Sequence, residues 1–424
     1  MPSRWCSSAA STALAVTLLA AGGLASRPAA AATVLDKTVR HQIGADGSVV
    51  EDTRLRVLIK VGADLEEWAD HYVYLDDHRT LESVTARVVS PDGEITELKK
   101  KDQDLIEAGG GSWMLHASSR FHRLRFPGLT VGSVVEVEHR VRVSPYFPGG
   151  AVHLFDEGAD VASLSVEVTG APAGFRWQLD GAEADLKVAE TAAGLTLVGE
   201  GLPAPDPPQE APGDAEHGPV LRYAWGPAAT WGDVGRWYQG LLGELPAAAP
   251  EVRAKARELT AGLDDPRQRL EALLAFARRD VRYVAVEVGI GGYRPSPPAE
   301  TMARGWGDCK DKSLLLVELL AEAGIDAYPA LIRLGDTERI DPAFPTPFVF
   351  NHAIVAVAAD GLAVTGTDPL SEGLLFVDPT DDRSTSRWLH EAVQDQHALV
   401  VRPAGAALVP SPKLFDQNRR ELQV

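Results

Sequence analysis

Gly307-Asp308-Cys309-Lys310-Asp311-Lys312-Ser313-Leu314-Leu315-Leu316 is the stretch on which the fold turns. Asp308 can cap a helix that starts at Cys309, and Asp311, three residues on, can complete a capping-box-like pair. An apolar face continues through Leu315, Leu316, Leu319, Leu320 and Ala323, and Gly324 stands where helices commonly end. A thiol at the first helical position meets unpaired backbone N–H groups and the positive end of the helix dipole, which favour a thiolate. Lys310 and Lys312 support that charge while Asp308 and Asp311 oppose it, so a histidine has to finish the activation. A free cysteine is most often a small buried hydrophobe. The Gly-Asp and Lys-Asp-Lys flanks do not suit an apolar slot, which favours a nucleophile.

Its partners are sought downstream. His352 lies in Phe350-Asn351-His352-Ala353-Ile354-Val355-Ala356-Val357, where alternation puts His352, Ile354 and Ala356 on one face of a strand. A lone histidine in an apolar strand is ordinarily a hydrogen-bonded core residue; His352 stands out because Cys309 needs a general base. Asp378 closes the strand Leu374-Leu375-Phe376-Val377 before Pro379-Thr380 and can orient the imidazole, although strand-to-turn aspartates are common. Trp306, three residues before Cys309, either shapes an acyl pocket and donates its indole N–H to an oxyanion or is simply packed; the backbone N–H of Cys309 is the more direct donor. His116, His122, His139 and His153 lack metal-ligand spacing. Gly289-Ile290-Gly291-Gly292 runs into Tyr293-Arg294-Pro295 instead of a helix, so it is no phosphate or dinucleotide loop. Neither a metal nor an organic cofactor is expected.

Residues 1–32 read as an export signal: Arg4, an alanine-rich apolar run from Ala9 to Ala25, then small residues at Ala29 to Ala32. Cys6 precedes that run, so Cys309 is the only cysteine of the exported chain and has no disulfide partner there. No later segment approaches the roughly 20 apolar residues of a membrane span, so the exported chain is expected to be soluble, in the periplasm or secreted. Loss of Arg4 and Arg27 with the leader moves the formal net charge from -19 to -21. That balance argues against nucleic acid and anionic membranes as partners; a protein or peptide substrate is expected from the cysteine chemistry instead, and oligomeric state is left open.

About 390 residues suggest two domains. From residue 33 to 226 the pattern is β-rich: Leu55, Val57, Ile59 and Val61 alternate with Arg56, Leu58 and Lys60, and Leu164-Ser165-Val166-Glu167-Val168 repeats the theme. A β-sandwich is the natural architecture. Residues 201–219 form a Pro/Gly/acid-rich loop or linker. Helical patterns follow at Trp231 to Leu242, Glu251 to Leu263 and Arg267 to Arg279. After the helix opened by Cys309 come strands at Val349 to Ala358, Leu362 to Val364 and Leu374 to Val377. The fold class is α+β, with a core over 227–400 and a tail over 401–424.

The chain resembles bacterial exported proteins of the transglutaminase-like, papain-like cysteine superfamily. The resemblance is carried by Arg282-Tyr283-Val284-Ala285-Val286-Glu287, Gly292-Tyr293-Arg294-Pro295, Trp306 to Lys312, Asn351-His352 and Val377-Asp378-Pro379-Thr380, in the order Cys, His, Asp. Residues 33 to 226 resemble, more loosely, the uncharacterised β-rich domain that often precedes this core. The resemblance implies Cys309 as nucleophile, His352 as general base and Asp378 as its orienter. It also implies a thioester that can lead to acyl transfer, deamidation or hydrolysis. Relatives often continue into a further β-rich domain, while this chain stops at Val424. The expected function is an exported cysteine enzyme acting on peptide or glutamine-type amides; the alternatives are a papain-like cysteine peptidase and a non-catalytic envelope scaffold.

Overall fold

The structure, a computed structural model, describes residues 32–107, 120–155, 159–181, 185–204, 219–226, 229–246, 249–285, 289–335 and 340–414. The expected leader, His116, Val286-Glu287 and most of the 201–219 linker lie outside the described residues. The chain divides near residue 227 into two compact units. Among the described residues no helix is long and apolar enough to cross a membrane.

The first unit is built on period-2 alternation. Leu55, Val57, Val137, Val141, Leu164, Val166 and Val168 turn inward, while the residues between them face outward. These strands belong to an eight-stranded sheet in which Asp160–Thr169 and Val49–Leu58 flank Thr33–Ile43, and Val134–Val143 follows Val49–Leu58. Two three-stranded sheets, one containing Val220–Ala224 and the other Arg120–Arg125, contribute Leu221, Tyr223 and Leu124 to the same core. A sandwich-like core is the result. The outward positions carry ion pairs between residues directly opposite in register: Asp52 with Arg140 at 2.7 Å, Arg54 with Glu138 at 2.8 Å and Arg56 with Glu136 at 2.9 Å. Exposed pairs of this kind contribute about 0.2–1 kcal/mol each, so they mark the register more than they stabilise it. Val61, expected to point inward, is 41% exposed because its strand ends at Leu58.

The second unit is α+β. Its antiparallel sheet runs in the order Leu370–Ser371, Leu374–Val377, His352–Ala358, Ala327–Ile332, His397–Arg402, Gly405–Pro410. On one face Val355, Val357, Leu375 and Val377 pack against the helices Pro250–Thr260, Pro266–Arg279 and Cys309–Glu322. On the other, Ile354, Ala356, Phe376 and Val400 pack with Leu389 and Val393. Burial on both faces explains why His352–Ala358 reads as a nearly continuous apolar run.

Two expectations are corrected and one strand was missed. Leu362 to Val364 is not a strand; the partner of Leu374–Val377 is instead Leu370–Ser371. The strand Ala327–Ile332 escapes the sequence pattern because Pro329 breaks it. That proline is tolerated because His397–Arg402 pairs only with Ala330, Leu331 and Ile332, leaving Pro329 at an effective edge. The core also runs past residue 400: Gly405–Pro410, expected as tail, is the outermost strand and packs against the helix Trp231–Gly243.

That last contact rests on one glycine. A Cβ on Gly235 would stand 2.0 Å from the Cβ of Ala406. Gly→Ala inside a helix ordinarily stabilises by about 0.5–1 kcal/mol. Here the clash dominates, and Gly235→Ala is expected to destabilise by about 1–3 kcal/mol in denaturant unfolding. A stability gain would show that helix and strand are not in this contact.

Candidate active site

Cys309 opens the helix Cys309–Glu322 where its sequence places it. Asp308 is the N-cap, its side chain accepting the Asp311 N–H at 3.2 Å, and Asp311 accepts the Asp308 N–H in return at 3.4 Å. The helix ends at Glu322, and Gly324 takes φ 75° just beyond. Gly307 allows the approach: a Cβ there would lie 2.7 Å from the Asp311 Cβ and 2.9 Å from the Thr301 Cγ2.

The charged flanks of Cys309 are not solvated. Asp308, Lys310, Asp311 and Lys312 are all buried. Lys310 donates to Asp308, and Arg304 donates to Asp311, whose other oxygen accepts the Ser296 N–H at 2.6 Å. Burial and the nearby Asp311 lift the Asp308 carboxyl against the pull of Lys310. Lys310 loses by burial but gains more from Asp308 and Asp311, so its ammonium is held charged. Two basic side chains thus face two acidic ones. Cys309 itself is only half-buried.

The sheet supplies the other two residues. Antiparallel pairing of Val355 with Val377 brings the start of His352–Ala358 beside the end of Leu374–Val377. There His352 Nε2 and Asp378 Oδ2 are 2.9 Å apart. The second Asp378 oxygen accepts the Thr380 N–H at 2.8 Å and the Thr380 hydroxyl at 2.7 Å. The Cys309 sulfur is close enough to interact with the imidazole and helps to raise its pKa. Ser313 Oγ donates to the Ala353 carbonyl at 3.0 Å and ties the helix's first turn to the strand beside His352. Cys309, His352 and Asp378 are therefore brought together.

Burial alone would lower the His352 pKa, but the Asp378 carboxylate, then the Cys309 sulfur, overcome it and raise it from 6.5 to about 10. Burial raises Asp378, and His352 and Thr380 more than reverse this, leaving it below the ordinary 3.8. Trp306 sits apart from these bonds. Its ring lies under the Arg304 guanidinium, 4.0 Å from ring centre to charge, and its carbonyl accepts from Arg304 Nε at 2.7 Å, which accounts for the residue by packing.

Sequence reasoning missed what stands behind the site. The loop after Asp378 is held by two buried arginines of the helix Pro266–Arg279. Arg267 pairs with Asp368 at 3.1 Å and donates to the Ser386 carbonyl at 2.8 Å, while Arg278 donates to the Ser384 carbonyl. Ser384 Oγ accepts the Asp378 N–H at 3.1 Å. The available signal was positional: Arg267, Leu270, Leu274 and Arg278 share one helical stripe, where an arginine needs a buried partner. Among the described residues no cluster of three or more His, Cys, Asp or Glu is placed to hold a metal.

Residues 45–194 match a domain of unknown function with solved structure, DUF3857. No curated protein matches the chain in sequence. A candidate protease from Parabacteroides distasonis aligns at TM-score 0.65 and 15% identity, covering 85% of this chain and 72% of that one. The fold is α+β, a sheet-rich unit followed by a core of helices packed on an antiparallel sheet. A candidate cysteine protease from Cytophaga hutchinsonii (TM-score 0.23, 10% identity, 86% and 81% covered) also matches. So does the periplasmic domain of TgpA from Pseudomonas aeruginosa (TM-score 0.23, 16% identity, 57% and 77% covered). At those TM-scores neither alignment adds to the fold assignment.

The raised imidazole has a direct consequence. Because its folded pKa lies above 6.5, the stability it contributes is complete below pH 6.5 and is lost as pH rises through about 10. In Asp378→Asn the largest raising influence is gone and only Cys309 is left to oppose burial, so His352 should titrate lower than in the unaltered protein. NMR titration of the ring protons reads this directly; an unchanged midpoint would mean that Asp378 does not hold the proton on His352.

Proposed function

We propose that the chain is an exported cysteine enzyme of transglutaminase-like type that acts on peptide or glutamine-type amides through a thioester on Cys309. The observation that supports this most is His352, hydrogen-bonded to Asp378 at 2.9 Å and within electrostatic reach of Cys309, which stands at a helix N-terminus. Asp378 fixes the ring orientation and balances the imidazolium. Cys309 Sγ attacks the amide carbonyl carbon, and the backbone N–H of Cys309 faces the developing oxyanion. His352 gives its proton to the leaving amine as the C–N bond breaks, which leaves the thioester. A water or an amine then loses a proton to His352 and attacks the acyl carbon. The thiolate departs, returning acid or transferred amide. Neither a metal nor a cofactor enters the sequence. Trp306 belongs to the wall beside Cys309 in this reading and donates nothing to the oxyanion.

Within the same chemistry, hydrolysis of peptide bonds is favoured by the likeness to a candidate protease. The acceptor decides between peptidase and transferase. Export follows the leader-like residues 1–32.

Labelling by iodoacetamide, read on the Cys309 peptide by mass spectrometry across pH, tests the reading. Fast labelling well below the ordinary thiol pKa of about 8.5, lost in His352→Ala, is expected. An ordinary thiol profile in the unaltered protein would sink the catalytic assignment. Where labelling is fast, incubation with peptides and a primary amine separates hydrolysis from transfer by product mass.

A further inference from the structure

Lys312 stands one turn after Cys309 on the same helix, yet it is 1% exposed and faces away from water entirely. Its ammonium donates to the Val281 carbonyl at 2.7 Å and to the Arg278 carbonyl at 3.4 Å. Arg278 is in the last turn of the helix Pro266–Arg279, where backbone carbonyls lack partners inside the helix and a cation is favoured, and Val281 lies just beyond the C-cap Asp280. The side chain of the same Arg278 donates to the Ser384 carbonyl, and Ser384 Oγ accepts the Asp378 N–H. Ser384 is fully buried and Asp378 is 1% exposed. The nucleophile's helix and the carboxylate that orients its histidine are thereby tied through one chain of buried contacts.

We propose that Lys312 is a positioning residue for the Cys309–His352 pair, setting through Arg278 and Ser384 where the Asp378 carboxylate stands relative to the nucleophile helix. It rests on the catalytic reading of Cys309, His352 and Asp378 given above. A buried ammonium is costly where an apolar side chain would pack without penalty, so a lysine here is poorly explained by stability alone. Burial pushes it down from 10.5 to about 8, with Asp378 and Asp382 pulling it back and Arg278 adding to the loss. The neutral amine formed above pH 8 still donates to both carbonyls, so the tie outlasts this titration.

The test is the pH profile of Cys309 alkylation in the full chain for Lys312→Gln and Ser384→Ala, beside the unaltered protein and His352→Ala, with melting curves for each. Both variants are expected to lose about tenfold in alkylation rate at neutral pH and to shift towards the His352→Ala profile, since small misplacements of catalytic groups have effects of that order or larger. A merely structural lysine would lower the melting temperature and leave the profile where it was, and that result overturns the proposal. Ser384→Ala removes one buried oxygen and reads the same chain of contacts even if Lys312→Gln does not fold; an unmoved profile there overturns it equally. An ordinary thiol profile in the unaltered protein would instead defeat the catalytic reading itself, so the two failures are distinct.

Discussion

Four charged or polar contacts made at the first turn of the helix Cys309–Glu322 decide what the second unit can be. Asp308, Lys310, Asp311 and Lys312 are all out of water, and a buried charge without a partner is costly enough to unfold the region. Each therefore dictates a neighbour: Lys310 answers Asp308, Arg304 and the Ser296 N–H answer Asp311, and the end of the helix Pro266–Arg279 answers Lys312. Satisfying that one turn fixes the segment before it and the helix behind it. Ser313 then fixes the strand beside it through the Ala353 carbonyl. Cys309 is the member of the turn left half-open, with its thiol directed to His352.

The same logic governs the electrostatics around the thiol. Paired side-chain charges cancel at short range, so the flanking lysines and aspartates do little to bias Cys309 either way. What remains uncancelled is the helix N-terminus and the imidazole, which Asp378 keeps protonated. Asp378 can do this because both its oxygens are occupied, one by His352 and one by Thr380, which holds a buried carboxylate ionised.

Much of this was legible in the sequence because it rests on local rules. The capping pair Asp308 and Asp311, the leucine stripe behind Cys309, and the alternation around Leu55 and Val166 are statements about three- and two-residue periods. His352 and Asp378 could be nominated because the chemistry demanded partners for a thiol. The flanking charges were read as unsuited to an apolar slot, yet they are buried and paired with residues whose proximity no local pattern announces. Arg304 and Ser296 precede Asp311 by 7 and 15 positions, but Arg278 and Ser384 are 106 positions apart. Ala327–Ile332 and Gly405–Pro410 were missed for related reasons: a proline conceals the first, and only its place beside His397–Arg402 makes the second a strand.

The outer face of the first unit's large sheet and the surroundings of Cys309 handle charge in opposite ways, and the contrast bears on function. In the first, Arg54, Glu138, Asp52 and Arg140 lie on the outer face, where pairs add little and removing one member costs little. In the second, Arg267 with Asp368 and Lys310 with Asp308 are enclosed, so loss of one partner strands the other. Apolar residues of similar volume would serve stability at least as well in such places. What an apolar core does not supply is a fixed polar geometry, since hydrophobic contacts are non-directional. Hydrogen-bonded ion pairs define both distance and angle, and these pairs surround the place where a sulfur, an imidazole and a carboxylate have to keep their alignment.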